Sequence, residues 1–199
     1  MGKGAPSPGR ASAPRLRAVL VHGFAGHPLH GWRPWLKQEL ESRGWSVSIP
    51  AMPHADAPVC SEWVEAISQA VGSPVSSCAL VGHSLGCMAI LRYLDTLAPG
   101  HAVGTVVLVA GFGSDTARPG FESFIHPPLN WPSLRSRASR FVALHSDNDR
   151  FIPLSEGEFL HRQLGAELIV QKGMGHFSSS EGTTRLPVAL EKLLDAPVK

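Results

Sequence analysis

Cysteine and charge are both scarce in this sequence, which narrows the classes of protein it can encode. There are three cysteines among 199 residues, an odd number without a closely spaced pair, so we expect no disulfide framework and predict a reducing, cytoplasmic setting. Charged residues make up 17% and the net charge is +2, so no nucleic-acid partner is expected. No apolar run is long enough to cross a membrane, and no membrane partner is expected.

The composition is typical of a globular protein with one sizeable core. Apolar residues make up 43% of the chain, and 199 residues suit a single domain. Residues 1–14 are rich in Gly, Pro, Ala and Ser and lack the apolar segment of a secretory signal. We therefore predict a disordered leader over residues 1–14 and a folded domain over residues 15–196, with no prediction of the oligomeric state.

Apolar segments of strand length alternate along the chain with segments of helical periodicity. The patterns predict strands at 16–21, 45–49, 77–81, 105–109, 140–145 and 167–171. Helices are predicted at about 34–43 and at 63–71. Three more are predicted further along, of which the first begins at residue 85, the second ends at residue 164 and the third continues through residue 194. Because the connections are too long for hairpins, we predict an α/β fold with a mostly parallel six-stranded sheet and helices on both faces.

Two segments carry more specific local predictions. Ser155 to Glu158 has the pattern of a capping box, with Leu154 and Phe159 placed as a hydrophobic staple, which predicts the start of a helix. Residues 110–139 are irregular and rich in Pro and aromatic residues, and a loop this long is typically functional or contains a short helix. It is predicted either to wall an apolar pocket or to cover the edge of the sheet.

The segment Gly82-His83-Ser84-Leu85-Gly86 follows the third predicted strand and opens a helical pattern. A G-x-S-x-G sequence between strand and helix is the nucleophile elbow, a sharp turn that holds the Ser hydroxyl above the edge of the sheet. We expect side chains at Gly82 and Gly86 to collide with the helix and the neighbouring strand. The alternative is a Gly-rich turn in which Ser84 caps the helix.

A serine nucleophile needs an adjacent base and a third group that orients the base, and both are present further along the chain. Asp147 and Asp149 follow the fifth strand, and His176 follows the sixth, in the order Ser, acid, His expected for this kind of site. These segments all lie at carboxyl ends of strands, where parallel sheets bind ligands. Both aspartates are candidates for the acid, and the other is expected to be a turn or capping residue.

Two backbone N–H groups are candidates for the oxyanion hole, those of Leu85 and Phe24, since the first follows the nucleophile and the second lies after the first strand. His83 is expected to pack against the neighbouring loop. The other histidines lack metal-ligand spacing, so no metal and no cofactor are expected.

With these residues identified, the chain resembles the small serine hydrolases related to retinoblastoma-binding protein nine over about residues 16–194. The resemblance rests on six short segments, which are Gly31-Trp32 to Trp35-Leu36, Met52-Pro53, Gly82-His83-Ser84 with Gly86, Trp131, Asp149-Arg150-Phe151-Ile152-Pro153, and Gly175-His176-Phe177.

The resemblance implies a compact α/β-hydrolase fold without a separate cap domain, acting on esters or amides of small acyl or aminoacyl groups. It also implies that Asp149, which precedes Phe-Ile-Pro, is the acid. The chain departs from the family in its first loop, which reads His-Gly-Phe-Ala-Gly over residues 22–26. It also lacks the Leu-x-Cys-x-Glu signature, since Pro58 occupies the Leu position, so a retinoblastoma-protein partner is not implied.

The sequence therefore predicts a serine hydrolase that cleaves a small-molecule ester or amide. Ser84 attacks the carbonyl, His176 takes the Ser84 proton, and Asp149 stabilises the imidazolium. The alternative is a non-catalytic interaction module built on a hydrolase scaffold.

Overall fold

Strands and helices alternate through residues 16–114 and 119–195, which are the residues that the computed structural model describes. The strands of this part of the chain are β1 Arg17–Val21, β2 Ser46–Ser48, β3 Cys78–His83, β4 Val103–Val109, β5 Ala138–Ser146 and β6 Glu167–Gln171. The α-helices of the same residues are α1 Arg33–Glu41, α2 Cys60–Val71, α3 Leu85–Asp95, α4 Glu122–Ile125, α5 Trp131–Leu134, α6 Leu154–Leu164 and α7 Pro187–Leu194. The leader predicted at residues 1–14 lies outside the described residues.

The six strands form one sheet in the order β2-β1-β3-β4-β5-β6. Every pairing of neighbouring strands is parallel, and the register aligns their carboxyl ends, with His83 opposite Val109 and Ser146 opposite Gln171. The segments that follow β3, β5 and β6 therefore emerge at one edge of the sheet. This confirms the predicted α/β class and parallel sheet.

Helices cover both faces of the sheet. Alternate residues of each strand point to opposite sides, so each face carries its own set of apolar side chains. In β1, Val19 and Val21 belong to a core cluster that also contains the buried apolar residues of α2, α3 and α6. Ala18 and Leu20 belong to the opposite cluster, which contains the buried apolar residues of α1 and α7. The predicted two-sided cover is confirmed.

The start of α6 differs from the prediction. The helix begins at Leu154 after an extended Pro153, and none of the described side chains caps it, so the predicted capping box at Ser155 is wrong. Pro153 fixes φ at −65°, which leads directly into the helix without a polar cap. The acidic residue of this turn, Glu156, is buried and accepts hydrogen bonds from the N–H groups of Gly113 and Ser114.

The described residues between β4 and β5 include two helices of one turn each, α4 and α5, which agrees with the expectation that a loop of this length contains a short helix. In the described parts of the chain, no helix has both the length and the apolar composition needed to cross a bilayer.

Candidate active site

Ser84 occupies a strained turn between β3 and α3. Its backbone has φ 53° and ψ −122°, a conformation that residues with a side chain rarely adopt. The Ser84 N–H donates to the carbonyl oxygen of Val109 at 2.9 Å, and the Ser84 carbonyl accepts from the N–H of Cys87 at 2.9 Å. The turn is therefore anchored to the neighbouring strand on one side and to the helix on the other.

The two glycines of the elbow are required by close backbone contacts. A Cβ atom at Gly82 would lie 2.8 Å from the Cα atom of Cys87 in α3. A Cβ atom at Gly86 would lie 2.5 Å from the carbonyl oxygen of His22 and 2.7 Å from that of Val21, at the end of β1. The predicted collisions with the helix and the neighbouring strand are confirmed.

His176 and Asp149 are hydrogen-bonded to one another at the carboxyl edge of the sheet. The distance from His176 Nδ1 to Asp149 Oδ2 is 2.8 Å, and only 1% of the Asp149 side chain is exposed. The other carboxylate oxygen, Oδ1, accepts from the N–H groups of Phe151 at 2.8 Å and Ile152 at 3.0 Å. The carboxylate is thus held from both sides, and His176 Nδ1 carries the hydrogen that it donates.

These contacts determine the charge state of the carboxylate. Burial acts to raise the pKa of Asp149, but the hydrogen bonds from His176 and from the N–H groups of Ile152 and Phe151 outweigh it. The pKa of Asp149 therefore lies below its ordinary value, and the group is ionised at neutral pH.

Asp147, the other candidate for the acid, points to a different part of the loop. Its Oδ1 accepts from the N–H of Gly173 at 2.8 Å, which ties the segment after β5 to the segment after β6. The structure therefore brings Asp149, and not Asp147, against His176.

Ser84 and His176 line the same two cavities, so the elbow and the His–Asp pair meet at one site. Among the described residues no hydrogen bond joins the Ser84 hydroxyl to the His176 ring. Hydrogen bonds of this kind are often long in a free enzyme and tighten when substrate binds, so the arrangement is compatible with proton transfer.

The His83 side chain contacts the backbone of the loop that contains His176. Its Nε2 lies 2.7 Å from the carbonyl oxygen of His176, and the two ring centroids are 4.9 Å apart. Burial lowers the pKa of His83 to about 3, so the ring is neutral and its Nε2–H donates to the carbonyl. This agrees with the expectation that His83 packs against the neighbouring loop.

Two supporting residues of the site were not singled out from the sequence. Asn148 Oδ1 accepts from the N–H of Gly175 at 2.8 Å, and Glu181 Oε2 accepts from the N–H of His176 at 2.7 Å. Glu181 also completes a capping box with Ser178. The Ser-x-x-Glu pattern of residues 178–181 is the signal that identifies this second support.

Phe24 and Leu85, whose N–H groups are the candidates for the oxyanion hole, line the larger cavity together with Ser84. Over residues 16–114 and 119–195, no acceptor takes either N–H group. Gly23 brings the first loop close to the elbow, since a Cβ atom there would lie 3.0 Å from Ser84 Cβ. Both residues therefore lie in the wall of the cavity that contains Ser84, and neither N–H group is bonded within these ranges.

The two cavities differ in chemical character. The larger has a volume of about 510 Å³ and a mainly apolar wall that includes Phe112, Phe121, Phe151 and Ile152. The smaller has about 260 Å³ and a polar wall made by the first loop, Arg33 and the segment after His176. Within the described residues, no three His, Cys, Asp or Glu side chains are grouped to hold a metal ion.

Comparison with known proteins agrees with this geometry. The sequence model of the serine hydrolase family matches residues 18–195. YdeN of Bacillus subtilis, which is named as a hydrolase, is 30% identical over 178 residues, covering 89% of this chain and 94% of YdeN. Serine hydrolase RBBP9 of Rattus norvegicus is 26% identical over 170 residues, covering 83% and 89% of the two chains.

A solved structure extends the comparison to three dimensions. The crystal structure of the ydeN gene product of Bacillus subtilis superposes with a TM-score of 0.84, covering 90% of this chain and 97% of that chain. The match confirms both the α/β-hydrolase fold and the resemblance predicted from the sequence. The chain belongs to the serine hydrolase family.

Proposed function

We propose that this protein hydrolyses small carboxylic esters or amides through an acyl-enzyme formed on Ser84. The observation that carries the proposal is the 2.8 Å contact between His176 Nδ1 and Asp149 Oδ2 beside a serine held at positive φ. A serine hydroxyl is a weak nucleophile at neutral pH and needs such an oriented base. Because Nδ1 of His176 is bonded to Asp149, Nε2 is the ring nitrogen that remains to take a proton.

In the first half of the reaction, Ser84 Oγ attacks the carbonyl carbon while His176 Nε2 takes the hydroxyl proton. Asp149, ionised at neutral pH, stabilises the imidazolium that forms. The N–H groups of Phe24 and Leu85 receive the negative charge on the carbonyl oxygen. The tetrahedral intermediate then collapses, and His176 gives its proton to the departing alcohol or amine.

In the second half, water attacks the acyl group on Ser84 with His176 again acting as the base. The acid product leaves and the proton returns to Ser84 Oγ. Each step uses side chains and N–H groups that line one site, so the proposal requires no additional group.

The apolar character of the larger cavity favours a substrate that places a small acyl or aryl group next to Ser84. Phe112 and Phe121 come from the segment between β4 and β5, and they line the cavity together with Phe151 and Ile152. This favours the pocket-wall interpretation of residues 110–139 over that of a simple cover. At about 510 Å³, the cavity is within the ordinary size of small-ligand sites.

A cytoplasmic location is part of the proposal, and the state of the cysteines supports it. Cys60, Cys78 and Cys87 are buried, free thiols. Such thiols suit a reducing compartment.

The test is labelling with a fluorophosphonate probe, which reacts only with an activated serine. We expect the probe to modify the wild-type protein and to leave Ser84→Ala unmodified. Hydrolysis of p-nitrophenyl esters of increasing chain length by the same two proteins then measures acyl preference. An unlabelled wild-type protein that binds esters without cleaving them would instead establish the non-catalytic alternative.

A further inference from the structure

Arg33 is a buried cation in the wall of the smaller, polar cavity, which also contains Ser84 and His176. Only 5% of the residue is exposed. It is the first residue of α1, where the partial positive charge of the helix terminus disfavours a cation. Burial and the helix dipole therefore both destabilise a charged guanidinium in this position.

The protein compensates this charge only in part. Arg33 Nη2 donates to the carbonyl oxygen of His27 at 3.1 Å, and its Cζ lies 5.6 Å from the centroid of the Trp32 ring. Its Nε is buried and has no hydrogen-bond partner among the residues that the structure describes. In the described residues, no carboxylate forms an ion pair with Arg33. Burial lowers the pKa of Arg33 to about 10, which still leaves the group protonated at neutral pH.

Glu181, the acidic residue of the loop after His176, already accepts hydrogen bonds from its own loop. Glu181 accepts hydrogen bonds from the N–H of His176, the N–H of Ser178 and the Ser178 hydroxyl. A buried, hydrogen-bonded cation without an acidic partner is strongly stabilised by an anion that enters from outside. The positive charge of Arg33 in the wall of the polar cavity is thus not balanced by a carboxylate of the described residues.

We infer that the polar cavity binds a carboxylate of the substrate through Arg33, so that the cleaved bond lies between an apolar acyl group and an anionic leaving group. The inference rests on the proposed function and specifies its substrate class. A planar guanidinium matches a carboxylate in charge and in hydrogen-bonding geometry.

Ser84 and His176 line both cavities, so the chemistry of the walls assigns the leaving group, and an anionic group suits the polar cavity. The wall of that cavity continues from His176 through Phe177 and the serines at 178–180, whereas the apolar cavity offers aromatic and aliphatic side chains. The two cavities meet at Ser84, which is where the carbonyl carbon of such a substrate must lie.

The test compares two esters of equal size, the butanoate esters of meta-hydroxybenzoate and meta-hydroxybenzamide. We expect wild-type kcat/KM to be about 10- to 100-fold higher for the carboxylate ester, as for one charge-assisted contact. Arg33→Gln removes this preference and still cleaves the carboxamide ester, which also shows that the variant is folded. Arg33→Lys retains part of the preference, and Arg43→Gln, an exposed change at the other end of α1, retains all of it.

Binding of the two phenols themselves, measured by calorimetry, separates this inference from the proposed hydrolysis. Tighter binding of meta-hydroxybenzoate than of meta-hydroxybenzamide, lost in Arg33→Gln, supports the site even in a protein that cleaves neither ester. Equal binding of the two phenols, or a preference that survives in Arg33→Gln, overturns it. A carboxylate preference seen only with acyl-side carboxylates, as in phenyl hemiglutarate, overturns the assignment of the leaving group to this cavity.

Discussion

His83 donates a hydrogen bond of 2.7 Å from Nε2 to the carbonyl oxygen of His176, although 93 residues separate them in the chain. The residue before the elbow serine thus holds the backbone of the proposed base. Since the ring is buried and neutral, this contact is a structural support and not a second titrating group of the site.

We predict that His83→Ala lowers kcat/KM by about 10- to 100-fold, because the His176 loop loses its anchor and small displacements of a catalytic group are costly. His83→Gln, which retains a donor, is expected to lose less. Steady-state hydrolysis of a p-nitrophenyl ester measures both, with the exposed His101→Ala as control. Equal activity of His83→Ala and wild type would show that the contact does not position the base.

Substitutions of the two aspartates after β5 are predicted to have very different effects on kcat. Asp149→Asn is expected to lower kcat by about 10⁴-fold, because an amide at this position favours the wrong tautomer of His176 while keeping the shape of the site. Asp147→Asn removes only an acceptor for the Gly173 N–H and is expected to have a small effect. Single-turnover kinetics of both variants test the assignment, and the reverse ranking would transfer the acid role to Asp147.

Stability is predicted to fall as the pH drops from about 6.5 toward 4.5. Burial lowers the pKa of His22, of His83 to about 3 and of His145 to about 4, whereas unfolded histidines titrate near about 6.5. In this range the unfolded chain binds protons that the folded protein does not, which favours unfolding. His83 and His145 each contribute a slope of about 1.4 kcal/mol per pH unit to the free energy of unfolding, and His22 contributes in the same direction.

Urea unfolding at several pH values measures this slope. His145→Leu is the matched variant, because His145 is fully buried and neither ring nitrogen has a hydrogen-bond partner in the described part of the chain. We expect its slope to be smaller than that of the wild type by the contribution of one histidine, whatever the change in absolute stability. An unchanged slope would mean that His145 is protonated in the folded protein.

The glycine at the start of α3 is predicted to be irreplaceable. Gly86→Ala places a Cβ atom 2.5 Å from the His22 carbonyl oxygen and is expected to cost about 3 kcal/mol or to prevent folding. Gly165→Ala is the control, since its φ is +68° but no atom of the described residues lies within 4 Å of the added carbon, so only about 1 kcal/mol is expected. Thermal unfolding compares them, and similar costs would contradict the packing argument.

The apolar cavity is predicted to set acyl preference through Phe121, whose ring meets that of Phe24 edge-on at 5.3 Å. Phe121→Ala is expected to lower kcat/KM for short acyl chains by about tenfold and to shift the optimum toward longer ones, because the wall recedes. Phe159→Ala, which alters the neighbouring cavity near Trp131, is the control. A panel of p-nitrophenyl esters measures the shift, and an unchanged optimum would remove Phe121 from the pocket.

The fold was predictable because its strands are short apolar segments, and the connections between them are too long for hairpins, which favours parallel pairing. The elbow was predictable for a similar reason, since Gly82 and Gly86 are required by backbone contacts that any nucleophile elbow makes. Short helices such as α4 and α5 have too few turns to show periodicity. The capping box at Ser155 failed because Pro153 and the loop contacts of Glu156 override the local pattern.

The site was less predictable than the fold, since its contacts join distant segments. Asp147 and Asp149 are two residues apart in one loop, and only the structure shows that the first bonds the Gly173 N–H and the second bonds His176. Arg33 carries no signal in the sequence, because a helical arginine is normally exposed. Its importance follows from burial and from the cavity beside it.

The most direct test of the account is to trap the intermediate. The wild-type protein is mixed with p-nitrophenyl butanoate, quenched in acid within one turnover, digested and analysed by mass spectrometry. We predict one butanoyl group on the peptide that contains Ser84, formed together with a burst of p-nitrophenol, and neither signal in Ser84→Ala. Turnover of the ester without acylation of Ser84, or acylation at another residue, would contradict the account.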